Sequence, residues 1–289
     1  MTGKPQFSIV IPSYGRPQAL QRCLEALTTL DYPRDQFEAI IVDDESPHPV
    51  DEIAKPFSNS LNILVLRQRH AGPAAARNLG VQHARGKILA FVDDDCVADP
   101  DWLRQLEAAS EQFPGALLGG GTVNACADNV FAATNQLLID TVRRCLDEHA
   151  SPLRFFPSNN LAVSSAALRD IGGFDASIRL AAAEDRELCA RWVAAGKPLV
   201  EVPAARIKHY HPQTLVSFIR MHFRYGRGAA LLHRRRNTTP AQFIAMGLYW
   251  RMLDVGLHAP ARRLRSTFLL ALSQVASAAG YFFQAAGAR

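Results

Sequence analysis

Short apolar runs alternate with segments whose apolar residues recur every three or four positions, and this rhythm carries through the first two thirds of the chain. Phe7–Ile11, Ala39–Val42, Ile63–Leu66 and Ile88–Val92 are brief, rich in β-branched or aromatic residues and bounded by turn formers, so they read as strands. Between them, Leu20, Leu24, Leu27 and Leu30, with Ala26, keep helical spacing after Pro17 and predict a helix over 17–30; Pro73 opens a second predicted helix that reaches Ala84. Strands and helices in this order build βαβ units and a largely parallel sheet. Further along, the pattern predicts a helix over 101–113, a strand over 117–123 bent at Gly119-Gly120-Gly121, and a longer helix over 129–146. An extended segment over 155–165, a turn at Gly172-Gly173-Phe174-Asp175, a helix over 184–195 and a strand over 199–202 follow. Near Pro212 the pattern breaks.

Charge sharpens that break. Residues 1–212 hold 21 Lys and Arg against 26 acids, whereas residues 213–289 hold 11 Arg against Asp254 alone, so the overall +5 conceals an acidic body and a basic tail. The chain is therefore expected to divide into a body, 1–212, with halves 7–99 and 100–212, and a helical tail, 213–289. In the tail, apolar Leu215, Ile219, Phe223, Leu231 and Leu232 interleave with Arg220, Arg224, Arg227 and Arg234-Arg235-Arg236, as in a basic amphipathic helix that lies on a bilayer. Residues 266–288 carry no formal charge over 23 positions, a length that as a helix spans about 30 Å of hydrocarbon. Ser273, Gln274, Ser277 and Gln284 weaken insertion, so an interfacial or protein-docked helix is expected in preference to a spanning one. An anionic membrane surface is the expected partner of this tail; nucleic acid is not, because no reader motif accompanies the arginines. Oligomerisation stays open.

The 48% hydrophobic content supports an ordinary globular core. Five scattered cysteines without C-x-x-C spacing suggest neither a disulfide framework nor a zinc site, and a reducing cytoplasm is expected. The apolar stretch Phe7–Ile11 is too short for a secretory signal.

The chemistry concentrates where the fourth run ends, at Asp93-Asp94-Asp95. Carboxylates about 4 Å apart repel by about 4 kcal/mol at an effective dielectric near 20, so the triplet asks for a cation. If the backbone stays extended, Asp93 and Asp95 share a face and Asp94 points away. Hard oxygen donors suit Mg²⁺ or Mn²⁺, ions that share their remaining positions with phosphates, and strand carboxyl ends are where open α/β sheets bind ligands. On the same edge fall Pro12-Ser13-Tyr14-Gly15-Arg16-Pro17 and Val42-Asp43-Asp44-Glu45-Ser46, where Tyr14 offers a ring to a nucleobase and Asp44 an acceptor to a base or ribose. Arg77, early in the small-residue helix, meets base or phosphate, or else pairs with Asp93 or Asp94. Asn159-Asn160 are placed beside an acceptor or donor-sugar pocket.

Taken in order, Ser8-Ile9-Val10-Ile11-Pro12-Ser13-Tyr14, Val42-Asp43-Asp44-Glu45-Ser46, Ala76-Arg77-Asn78, Phe91-Val92-Asp93-Asp94-Asp95, Gly172-Gly173-Phe174-Asp175 and Glu184-Asp185 resemble the family 2 glycosyltransferases of GT-A fold. The resemblance runs over about residues 7–212 and implies an α/β fold with a Rossmann-like nucleotide-binding half and a mixed central sheet. It implies nucleotide contacts at Pro12, Tyr14, Asp44, Arg77, Asp93 and Asp94, with the metal on Asp95 and a further ligand at His209 or His211. It also implies Asp185 as the base that deprotonates an acceptor hydroxyl, with Glu184 orienting it or touching the donor sugar. The expected activity is inverting, metal-dependent transfer from a UDP- or dTDP-sugar to a glycan or glycolipid at the cytoplasmic face of the membrane. A nucleotidyltransferase is the alternative, disfavoured by the lack of a glycine-rich phosphate loop near the first strand; a non-catalytic membrane-associated scaffold is the other.

Overall fold

The computed structural model describes residues 4–148, 155–178, 180, 183–236 and 263–287. They form two compact units: the first comprises residues 1–125 and 155–210, the second residues 126–154 and 211–289.

The first unit is built on one eight-stranded sheet. Strands β1 (Phe7–Ser13), β2 (Phe37–Asp43), β3 (Ile63–Arg67) and β4 (Ile88–Val92) occur where the sequence predicts them, and they run parallel in the order β3-β2-β1-β4. Beyond β4 the sheet turns mixed. β7 (Asn160–Ser164) is antiparallel to β4, β6 (Leu117–Asn124) is antiparallel to β7, and β8 (Leu199–His209) runs parallel to β6. The short β5 (Cys96–Ala98), which the sequence pattern does not reveal, pairs antiparallel with β8.

Alternation explains why these strands read as unbroken apolar runs. Phe7, Ile9 and Ile11 of β1, Phe37, Ala39 and Ile41 of β2, and Ile88, Ala90 and Val92 of β4 enter one core with Leu20, Leu24 and Trp102 from α1 (Pro17–Leu27) and α4 (Trp102–Gln112). The intervening Val10, Ile40, Val42, Leu89 and Phe91 enter a second core with Ala74 and Ala76 of α3 (Pro73–His83) and Trp192 of α7 (Glu184–Ala194). Both faces of the sheet are covered, as a parallel sheet requires. Helix α1 stops three residues short of the predicted Leu30 because the hydroxyls of Thr28 and Thr29 bond back to the Glu25 and Ala26 carbonyls. Pro12 is tolerated inside β1 because pairing with β4 ends at Val10–Phe91, so its missing N–H breaks no ladder there. The predicted glycine bend in β6 has a packing cause: a Cβ on Gly119 would stand 2.1 Å from Phe156, and one on Gly120 2.2 Å from Asn160. The β6–β8 register also shifts between Gly120 and Gly121, and β8 continues well beyond the predicted Val202.

The second unit is helical: α5 (Val130–Glu148), α8 (Leu215–Arg236) and α9 (Arg263–Ala286). Its core joins Phe218 and Met221 of α8, Leu269 and Leu272 of α9, and Val130 and Phe131 of α5. Helix α5 therefore groups with the tail, whereas a division at 212 leaves it in the body. Its apolar stripe finds partners on the basic helix pair, which a linear charge count does not register. Helices α8 and α9 touch backbone to backbone: a Cβ on Gly226 would stand 1.8 Å from the Ser277 carbonyl oxygen, and one on Gly280 1.9 Å from that of Phe223. Arg220, Arg224, Arg234 and Arg235 of α8 are exposed, as are Phe268, Val275, Phe282 and Phe283 of α9. Among the described residues, the helix over 265–286 is long and apolar enough to cross a membrane.

Candidate active site

Parallel pairing brings the carboxyl ends of β1, β2 and β4 to one edge of the first unit. At the end of β2, Asp44 is nearly buried and its carboxylate accepts three hydrogen bonds, with a histidine nitrogen close by. Oδ1 takes Gln68 Nε2 and the Ala71 N–H, each at 2.8 Å; Oδ2 takes the Gly72 N–H at 2.9 Å and faces His70 Nδ1 at 3.0 Å. One carboxylate thus orders the whole loop that leads into α3. Gly72 closes the loop with φ +91, a conformation that favours glycine. Tyr14 from the β1 loop is half exposed and packs against His70, with ring centroids 4.6 Å apart and planes inclined by 40°. Glu45 adopts φ +68 between them, and its carboxylate accepts the His70 N–H at 3.1 Å.

The acidic triplet is arranged differently from the alternation expected of it. The strand ends at Val92 and the chain turns through Asp94 and Asp95, so period-two geometry no longer applies. Asp93 pairs with Arg77 at 2.7 Å. Asp94 is fully buried; it accepts the Ser13 hydroxyl at 2.8 Å and pairs with Arg16 at 2.6 Å. Asp95 pairs with Arg16 as well and lies 3.3 Å from His209 Nε2. Burial pushes the Asp94 carboxyl up to about 7 against the pull of Arg16, and the charge of Asp95 adds to the rise. The counter-charge demanded by the triplet is thus supplied by two arginines, of which only Arg77 was a site candidate.

Arg77 resolves the choice the sequence left open. It is 2% exposed and bridges Asp93 to Glu184 Oε1, the latter at 3.1 Å, so it spans from the end of β4 to the first turn of α7. Its neighbour Asn78 exchanges two hydrogen bonds with the Phe174 backbone, at 2.7 and 2.9 Å, which docks the Gly-Gly-Phe-Asp turn onto α3. Gly173, at φ +71, is required there, since a Cβ would stand 2.8 Å from Asn78 Oδ1. Glu184 also accepts the Ala183 N–H at 3.0 Å. Asp185, next along α7, is pushed up to about 6 by burial and by the Glu184 charge, while Arg186 opposes the shift. Such a carboxylate is ionised at neutral pH yet basic enough to take a proton.

His209 is the last residue of β8, opposite Cys96 of β5, and the Tyr210 N–H bonds to the Asp95 carbonyl at 2.8 Å. Burial opposes protonation of His209, but hydrogen bonding to Asp95 and its charge prevail and raise the pKa. His211 opens the C-terminal segment of the second unit. Asn159 is part-exposed, its Oδ1 3.5 Å from the Thr122 hydroxyl. Asn160, expected to line a sugar pocket, instead has a buried and fully used amide. It donates to the Gly121 and Ala205 carbonyls at 2.9 and 2.8 Å and accepts from Trp102 Nε1 at 2.9 Å, tying β6, β8 and α4 to β7. Pro12 is buried within β1. Sequence reading missed Arg16, Ser13 and His70; for Arg16 the signal was its place in the β1 loop opposite three acids. A cavity of about 270 Å³ lies on the same edge, lined by Ser13, Gly15, Arg16, Ser46, His48 and Val50, among others.

Residues 8–172 match the family described as Glycosyl transferase family 2, and the chain belongs to that family. It is 31% identical to glycosyltransferase AglE of Haloferax volcanii over 172 residues, covering 59% of this chain and 56% of that protein. The chain spans about half the length of the first curated relatives it matches. Among solved structures, the mannosyltransferase PcManGT from Pyrobaculum calidifontis in complex with GDP-Man and Mn²⁺ aligns with TM-score 0.61 at 19% identity, over 99% of this chain and 80% of that one. S. aureus TarS 1–349 in complex with UDP-GlcNAc aligns with TM-score 0.57 at 15% identity, over 98% and 92%. The fold is GT-A, with the mixed sheet described above.

Proposed function

We propose that the chain is an inverting, metal-dependent glycosyltransferase that moves a sugar from a nucleoside diphosphate to an acceptor hydroxyl. The observation that carries this reading is the bridge of Arg77 from Asp93 to Glu184, which ties the acidic triplet to the first turn of α7, where the next residue, Asp185, is the carboxylate with the raised pKa. Asp185 takes the acceptor hydroxyl proton as the oxygen attacks the anomeric carbon; the bond from that carbon to the diphosphate oxygen breaks, and the electron pair leaves with the nucleoside diphosphate. Tyr14 and Asp44 hold the base, and Asp93 and Asp94 the ribose side. Arg16, whose guanidinium is partly exposed, turns toward the departing phosphates.

A divalent cation fits the donor set of Asp95 and His209, a carboxylate and an imidazole 3.3 Å apart beside further acids, and the imidazole favours Mn²⁺ over Mg²⁺. When bound, that ion supplies positive charge against the diphosphate. GDP-Man with Mn²⁺ in PcManGT and UDP-GlcNAc in TarS support a nucleotide-sugar donor here. Family membership favours this reading over a nucleotidyltransferase. A screen of nucleotide sugars with Mg²⁺ or Mn²⁺, followed by diphosphate release and product mass, tests it. Release of nucleoside diphosphate with a glycosylated product is expected; release of pyrophosphate from a nucleoside triphosphate contradicts it.

The acceptor is a glycan or glycolipid held near an anionic, cytoplasmic membrane surface. The support is the pairing of exposed arginines on α8 with exposed Phe268, Phe282 and Phe283 on α9. Replacing these three phenylalanines by serine is expected to abolish cosedimentation with anionic vesicles, and unchanged cosedimentation removes the membrane part.

A further inference from the structure

The contacts that a nucleobase needs are already made by a side chain of the protein itself. His70 sets its ring against Tyr14, the two planes inclined by 40°, and its Nδ1 stands 3.0 Å from Asp44 Oδ2 and 3.2 Å from the Asp44 carbonyl oxygen. Both oxygens are acceptors, so Nδ1 carries the hydrogen and donates it. A planar ring against the tyrosine, with a ring nitrogen 3.0 Å from the carboxylate, occupies the place that a pyrimidine imide would take. The His70 side chain is 55% exposed and is anchored through its backbone N–H on Glu45, so the ring can turn away without moving the loop.

The remaining donors to Asp44 are less free to leave. Ala71 and Gly72 give backbone N–H groups at the entrance of α3, and Gln68 Nε2 is the other side-chain donor. A carboxylate has about four acceptor sites; these donors take three, and His70 Nδ1 stands over the fourth at 3.0 Å. Turning His70 out therefore uncovers one site, on Oδ2, and leaves Oδ1 occupied.

Building on the donor reading above, we propose that His70 is a specificity-determining residue of the base pocket, a placeholder that exchanges with a single ring N–H and so selects uracil or thymine over guanine. Uracil and thymine carry one imide N–H, which matches the one acceptor site released. Guanine presents N1–H and the N2 amino group side by side to both carboxylate oxygens, and seating it would also require Gln68 to leave Oδ1. Adenine and cytosine lack a ring N–H in this position.

Equilibrium binding of UDP and GDP to the full chain tests the inference, with His70→Ala, His70→Phe and Gln68→Ala compared at constant Mn²⁺. The wild type is expected to prefer UDP. His70→Ala, which takes the ring off Tyr14 and the nitrogen away from Oδ2, is expected to bind UDP about threefold to tenfold more tightly. His70→Phe keeps a ring on Tyr14 without the N–H and is expected to gain less. Adding Gln68→Ala to His70→Ala is expected to narrow the gap between UDP and GDP. Unchanged or weaker UDP binding in His70→Ala, with thermal unfolding like the wild type, overturns the proposal, as does a wild type that binds GDP as tightly as UDP. If the wild type binds neither diphosphate, the donor reading fails and this inference falls with it.

Discussion

Asp44 and the Asp93-Asp94-Asp95 triplet sit on the same edge of the same sheet, yet the chain satisfies them in opposite ways. Asp44 is held by two backbone amides and the Gln68 amide, with His70 beside it and no arginine among the donors. The triplet is held by guanidinium groups, one buried on α3 and one partly exposed on the β1 loop. Backbone donors are fixed by the fold, so the surroundings of Asp44 are preformed down to the placement of individual hydrogen bonds. Of the triplet's two arginines, Arg77 is locked between Asp93 and Glu184, whereas Arg16 is partly exposed and offers its guanidinium to an anion at that edge. The comparison teaches that an acid's partners, more than its burial, tell whether it organises a loop or meets a ligand.

The largest test of this contrast is Arg77→Met. It leaves Asp93 and Glu184 facing a buried thioether, and losing one partner of a buried pair costs about 3–5 kcal/mol. Chemical denaturation is expected to show that loss, whereas removal of the exposed Arg104 side chain, paired with the exposed Asp31, should cost far less. A near-neutral Arg77→Met would mean that the bridge to α7 is incidental.

Asp185→Asn is expected next in size: transfer falls about 10²-fold or more while donor binding persists. The same substitution should stabilise the fold. A carboxyl raised to about 6 favours its neutral form in the native state, so its ionisation costs stability as pH rises from about 4 through 6. The amide escapes that cost, and the variant should gain on the order of 1–3 kcal/mol at pH 8 and little at pH 4, read by thermal unfolding. Loss of stability at pH 8 would place Asp185 in a structural role.

Asp44→Asn is expected to cost about 1–3 kcal/mol, because the amide nitrogen turns one donor toward N–H groups that need an acceptor. Amide exchange at Ala71 and Gly72 should speed up in this variant while exchange in β4 stays unchanged. The smallest effect is kinetic: kcat/KM should rise about tenfold per pH unit up to about 6 and then level off as Asp185 loses its proton. A profile flat from pH 4.5 to 8 would remove Asp185 as the base.

Most of the sheet was legible because each central strand is buried on both faces, which forces continuous apolar runs between turn residues. Strand β5 was not, since three residues carry no period and its pairing with β8 depends on partners more than a hundred positions away. The acidic triplet was legible as a charge problem but not as a geometry: alternation assumed a strand where the chain already turns. Asn160 shows the converse error. A polar pair in an extended segment looks like a pocket wall, and only the close approach of Gly121, Ala205 and Trp102 reveals a buried strut. Arg16 stood in plain view beside Tyr14, but its pairing depends on the register of β1 against β4, which hydrophobic pattern alone does not set.

The central claim is that the triplet receives a diphosphate together with a divalent cation. Calorimetric titration of UDP into the full chain, with Mn²⁺ and then with the metal chelated, tests it most directly when repeated on Asp95→Ala. The account predicts binding that needs Mn²⁺ in the wild type and loses that dependence in the variant; equal affinity with and without metal in both would contradict it.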